Sequence, residues 1–179
     1  MALADLVLAV KPPSAPNAAG PLDRKADVER ALNIALPNEI YELALMYGSG
    51  EFGNEIEVLN PFANDYIDKV NMISKCYTEL KVAEGDEFIP YDIFPKMPGL
   101  YPWGTTSNGH CMFWLCKDHP SSWPLVLLRS GEMLFQELRM DVTTFLENVF
   151  TKPTPCVLWE VEWQSTYLLG KGFSPSVNC

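Results

Sequence analysis

The sequence predicts an α+β fold, a central and mostly antiparallel sheet packed with helices. Three observations carry this. First, Asn108-Gly109 sits between two apolar or β-branched runs. That dipeptide favours a tight hairpin, because both central residues of a type I′ turn need positive φ. Second, Ser130-Gly131 sits between two further runs and predicts a second hairpin. Together they give a four-strand meander over residues 101–106, 110–116, 124–129 and 133–138, with flanking strands beside it. Third, apolar residues outside the meander recur every three or four positions, which is helical spacing.

The elements follow in chain order. Leu3, Leu6, Val7 and Val10 suit a short amphipathic helix, with a strand or loose arm as alternatives. Residues 11–21 hold Pro12, Pro13, Pro16 and Pro21 and read as a linker or a wrapped coil. Asp23 is placed to cap a helix running to about Ala35, with Val28 and Leu32 inward. Leu36-Pro37-Asn38-Glu39 starts another. Proline suits the first helical position, and Glu39 lies where the helix dipole favours an anion. Leu36, Ile40, Leu43, Ala44 and Tyr47 make its apolar face, and Gly48-Ser49-Gly50 ends it. Phe52–Leu59 reads as one strand.

Asn64 or Asp65 is placed to cap the longest helix, with Tyr66, Val70, Ile73, Tyr77 and Leu80 inward, to about Ala83. Residues 88–94 suggest a strand, and Pro90 marks it as an edge or broken one. Cys111–Cys116 is apolar at alternate and intervening positions, so this strand is expected to be covered on both faces. Asp141 is placed to cap a helix to Phe150, with Val142, Phe145, Leu146, Val149 and Phe150 on one side. Val157–Trp163 alternates and is a candidate last strand. Residues 170–179 read as coil.

One domain over residues 1–179 is expected, since the length is enough for a single core. The net charge is -10. Phosphates would be repelled, which disfavours nucleic acid and anionic membrane as partners. A basic protein partner, or solubility alone, is compatible with the same charge. The five cysteines are odd in number and irregular in spacing, as expected for free thiols in a reducing compartment. Residues 1–11 lack the basic start and unbroken apolar run of a secretory leader, and no stretch has the length of a membrane helix. A soluble cytoplasmic protein is the expectation.

Candidate chemistry is sparse. His110, Cys111, Cys116 and His119 are the one metal-like group. Cys111 and Cys116 are five apart on a strand, so they point to opposite faces, and no CxxC pair exists. Two histidines with no G-x-S-x-G motif give no nucleophilic triad. No phosphate loop is present; Gly170-Lys171-Gly172 is an isolated match. No cofactor is called for. Carboxylates are plentiful. Glu84, Asp86, Glu87 and Asp92 form the densest group, and Glu51 and Glu55 a second one. They read as a solvated surface or as a face that docks a basic protein. Trp123 falls in a loop and is a candidate hydrophobic anchor at such an interface. Trp103 and Trp114 are expected to pack the sheet.

Three segments together resemble the SUKH superfamily, which includes fungal cell-wall-synthesis regulators and bacterial toxin-immunity proteins. They are Leu36-Pro37-Asn38-Glu39-Ile40-Tyr41 with Met46-Tyr47-Gly48-Ser49-Gly50; Pro98-Gly99-Leu100-Tyr101-Pro102-Trp103-Gly104-Thr105-Thr106-Ser107-Asn108-Gly109; and Phe113-Trp114-Leu115 followed by Pro120 and Trp123-Pro124-Leu125-Val126. The match spans about 23–150, with Trp103, Gly104, Asn108, Gly109 and Trp114 as signature residues. His110 departs from it, standing where the family often has a glycine or an acid. The arm at 1–21 and the C-terminal extension at 151–179 lie outside it. The resemblance implies an α+β fold and a binding role without catalysis: an immunity protein that neutralises a cognate toxin, often a nuclease or deaminase. Such toxins tend to be basic, which suits an acidic binder. A regulatory or scaffold module of the same fold is the alternative, and there the proline-rich arm would serve peptide docking.

Overall fold

The computed structural model describes residues 2–152 and 171–176. The fold is α+β, with five α-helices and eight strands among the described residues. The sheet runs β7-β6-β5-β4-β2-β1-β8. Its strands are β1 (Gly50–Phe52), β2 (Ile56–Val58), β4 (Gly99–Thr106), β5 (Cys111–Cys116), β6 (Leu125–Arg129), β7 (Leu134–Leu138) and β8 (Phe173–Pro175). A two-residue β3 (Asp92–Ile93) pairs in parallel with the start of β4; every other pairing between these strands is antiparallel. The four-strand meander is therefore β4 to β7.

Its turns are built differently from the expectation. At the first, the Gly109 N–H donates to the Thr106 carbonyl (2.9 Å), and positive φ falls on Gly109 (79°) but not on Asn108. The loop is three residues long with a left-handed glycine at its end, in place of the two-residue type I′ form. At the second, the positive φ falls on Met133 (53°), beyond Gly131.

The single strand expected over 52–59 is a hairpin, β1 and β2. Gly53 (φ 65°) and Asn54 (φ 59°) supply the two left-handed residues of its turn. The C-terminal end is not all coil, because β8 pairs with β1 along Gly50–Phe52. The candidate strand Val157–Trp163 lies outside the described residues. The strand expected over 88–94 shrinks to β3, since Pro90 cannot donate to a ladder.

The helices are α1 (Ala2–Ala9), α2 (Lys25–Leu32), α3 (Asn38–Tyr47), α4 (Tyr66–Glu84) and α5 (Val142–Thr151). Asp23 does not cap α2; it lies in a 3-10 turn, Leu22–Arg24, and α2 stops at Leu32 because Asn33 turns left-handed (φ 54°). Asp65 is the N-cap residue of α4 but makes no capping hydrogen bond. Asp141 does cap α5, accepting from the Thr144 N–H at 2.8 Å. Every residue of the expected α3 and α5 faces is buried.

These helices cover both sides of β5. Trp114 and its neighbour Trp103 pack with Trp123 and with Phe145 of α5. Phe113, which alternation turns the other way, packs edge-on against Tyr77 of α4. Both Phe113 and Trp114 are fully buried, so β5 is the covered central strand its composition predicts. The other buried apolar residues join them in one contiguous core from Leu6 to Phe150.

The proline-rich arm is the wrapped coil of the two sequence alternatives. Tyr47 Oη donates to the Val10 carbonyl (2.7 Å), the Ser49 N–H to Asn17 (2.8 Å), and Asn60 Nδ2 to Ala18 (3.1 Å). Gly48 makes this possible. Its φ is +72°, and a Cβ there would stand 2.2 Å from the Asn17 carbonyl oxygen.

Candidate partner-binding site

The expected acidic patch is partly neutralised. Glu84, Asp86 and Glu87 lie exposed where α4 ends, and Asp92 stands in β3. Between them sits the Lys81 ammonium, whose side chain is only 19% exposed. It pairs with Asp86 (2.9 Å) and Asp92 (3.2 Å) and donates to the carbonyls of Ile89 (3.1 Å) and Tyr91 (2.8 Å). Lys96 reaches Asp92 from the other side at 2.7 Å. Those hydrogen bonds, Lys96 first and then Lys81, hold the Asp92 carboxyl below the usual carboxylate range. Asp86 and Asp92 thus fasten the 85–93 segment to α4. Among the described residues, Glu84 and Glu87 carry no ion pair.

The second pair is elsewhere. Glu51 is exposed on β1, and Glu55 accepts from the Ser107 hydroxyl, bracing the β4–β5 turn. Asp92 pairs beside Gly99 while Glu57, opposite Glu51, pairs beside Thr105. Six residues of β4 separate the two groups, about 20 Å along the strand. The fold does not bring these patches together.

Trp123 is not an exposed anchor. It is 6% exposed and lies against Trp114, 6.4 Å between ring centroids. The short 3-10 turn Pro120–Ser122 folds it inward, which a loop assignment could not foresee. The signature residues serve the sheet. Trp103 and Trp114 are fully buried. Gly104 follows a bulge at Trp103, and a Cβ on it would meet the Glu57 carbonyl oxygen at 2.8 Å, so it lets β2 approach β4. Asn108 and Gly109 form the first meander turn.

The metal-like group is dispersed. His110 is buried at the start of β5, whereas His119 is exposed beyond its end, with Nδ1 2.8 Å from Ser121 Oγ. Burial pushes the Cys111 thiol up to about 11 and the Cys116 thiol to about 12, so both stay protonated and poorly nucleophilic at neutral pH.

One groove among the described residues is not singled out by the sequence. It encloses about 820 Å³ where the N-terminal ends of α3 and α5 meet the Pro120–Ser122 turn and the end of β7. Its charged residues are Glu39, Glu42, Glu137 and Asp141 against Lys117 and Arg139. Carboxylates outnumber cations four to two. Trp123 lines the same groove, and its indole N–H has no acceptor among the described residues.

Glu39 is the unusual member. It is half-buried in the first turn of α3, and no described cation pairs with it. Burial pushes its carboxyl up to about 7; its own backbone N–H pulls the other way, and the nearby Asp141 and Glu42 add to the rise. Asp141 behaves oppositely. Burial would raise it, but hydrogen bonds from Thr143 and Thr144 hold it below the usual range. The groove therefore combines a fixed carboxylate with one that titrates near neutrality, beside an indole. Such an arrangement suits a cation.

No family model, curated protein or solved structure matches this chain. The described helices include none long and apolar enough to cross a membrane.

Proposed function

We propose that this chain is a non-catalytic protein-binding domain, an immunity-type protein that neutralises a basic toxin domain by stoichiometric occlusion of its active-site cleft. A nuclease or deaminase is the fitting class of toxin, since enzymes acting on nucleic acid carry basic surfaces. The carboxylate excess of the 820 Å³ groove carries this reading, because it offers a concave acidic surface to a basic partner. The net charge of -10 supports fast, salt-sensitive association with such a partner. The motif resemblance supports the same role. The free thiols of Cys76, Cys111 and Cys116 suit a reducing cytoplasm. The proline-rich arm gives the scaffold alternative less support, because carbonyls of Val10, Asn17 and Ala18 are already engaged by the fold.

The test is affinity capture from native lysate at low and high salt, followed by assay of the retained protein. A basic nuclease or deaminase domain, released at high salt and inhibited at a one-to-one ratio, is the expected result. A signalling or cell-wall protein, retained without loss of any activity, would overturn the immunity reading in favour of a scaffold.

A further inference from the structure

We infer that the groove between α3, α5 and the Pro120–Ser122 turn receives a lysine or arginine side chain from the partner, with Glu39 as its counter-ion and Trp123 as its floor. This rests on the reading of the chain as a binder of a basic protein and says where that protein's key residue goes.

The argument starts from what the groove lacks. A half-buried carboxylate normally has a cation or several donors, because an uncompensated buried charge is costly. Elsewhere the chain obeys this: Glu57 has Lys69, and Asp92 has Lys81 and Lys96. Glu39 has neither a described cation nor a side-chain donor, although Lys117 and Arg139 line the same groove. Lys117 instead reaches Glu137, at 3.9 Å.

A second observation is independent of charge. Trp123 is 6% exposed and contributes to the groove's lining, and its buried indole N–H has no acceptor among the described residues. An indole face attracts cations, arginine above all. A carboxylate and an indole in one groove together favour a basic side chain over an anion, a sugar or an apolar ligand. The concave shape favours a single inserted residue over a flat contact.

Occupancy is then coupled to pH through Glu39. The charged groups that line the groove with it are Glu42 on α3, Asp141 at the start of α5, Glu137 and Arg139 at the end of β7, and Lys117; His119 heads the adjoining 3-10 turn and is paired with Ser121. Replacing Glu39 alone leaves all of these in place, so any pH dependence that disappears with it belongs to Glu39.

The test uses the full chain and N-acetyl-glycyl-arginyl-glycine amide as probe, followed by amide and indole NMR shifts. The citrulline counterpart has nearly the same shape without the charge. Saturable shifts of the Trp123 indole and the Glu39 amide are expected with the arginine peptide. Affinity should fall about tenfold with citrulline and about tenfold in Glu39→Gln, the range for a hydrogen bond to a charged group. It should also weaken from pH 8 to pH 5.5 in the native chain and not in that variant. Glu79→Gln removes the same net charge from an exposed position on α4, outside the groove, and should change affinity less than about twofold. Equal binding of arginine and citrulline peptides, no saturable shift, or equal effects of the Glu39 and Glu79 substitutions would each overturn the inference. The two readings fail separately. A captured toxin that binds Glu39→Gln undiminished sinks this inference alone, and a specific arginine site on a chain that captures no basic protein sinks the immunity reading alone.

Discussion

Replacing Glu39 with glutamine should flatten the pH dependence of stability. The unfolded chain holds this carboxyl near 4.5, and the folded chain holds it near 7, chiefly through burial. The folded state therefore binds the proton more tightly. The stabilisation from that proton is fully present below about pH 4.5 and is lost as pH rises through 7. A move from 4.5 to about 7, at about 1.4 kcal/mol per pH unit, sets a ceiling of about 3.5 kcal/mol. Glu39 keeps part of its surface in water, so about 1–3 kcal/mol is the working range. Glutamine has the same size, keeps a neutral polar end and cannot ionise. Urea unfolding at intervals from pH 4.5 to 8.5 measures the effect. With a urea dependence of about 2 kcal/mol per molar, the native midpoint should fall by roughly 0.5–1.5 M more than that of Glu39→Gln over this window. Titration of groups that do not act on Glu39 is common to both chains and cancels. Parallel curves would show that Glu39 titrates as an ordinary surface acid, and would refute its role as an uncompensated buried carboxylate.

Two further outcomes follow from the fold. Lys81→Met keeps the aliphatic stem but removes donors from the Ile89 and Tyr91 carbonyls; it should cost about 2–3 kcal/mol, read by urea unfolding, with little of this from the pair to Asp86, whose side chain is 87% exposed. A loss below about 0.5 kcal/mol would mean that the 85–93 segment is held by other contacts. Gly48→Ala places a methyl group 2.2 Å from the Asn17 carbonyl oxygen in a backbone conformation open almost only to glycine. It should cost about 3 kcal/mol or more and speed proteolysis at Lys11; unchanged cleavage there would show that the arm does not depend on this contact.

What could be read from the chain alone divides by the range of the interactions involved. The buried face of α5, the Asp141 cap and the buried face of α3 follow from spacing over one or two turns, and all are as expected. The meander was legible because its strands are consecutive and joined by short turns. The β1–β2 hairpin does not show in the sequence pattern, although Gly53-Asn54 carries a turn signal. Its strands are only three residues each, so alternation has almost nothing to show. β8 is hidden in the sequence for a stronger reason. Phe173–Pro175 has little strand character, and its pairing partner lies more than a hundred residues away.

The candidate site divides in the same way. Counting charges locates Glu84, Asp86, Glu87 and Asp92, but only folding brings Lys81 and Lys96 among them and turns half of the patch into a clamp. Glu39 in the sequence is an ordinary first-turn acid. It becomes distinctive because α3 and α5 start side by side and bury it near Asp141, a hundred residues on. The sequence by itself determined the α+β class, the core strand and the acidic balance, since each rests on local pattern or composition. Tertiary structure alone decided which carboxylates are paired, which tryptophan is covered and which acid stands without a cation. Burial and charge pairing depend on neighbours in space, and those are set only once distant segments have packed.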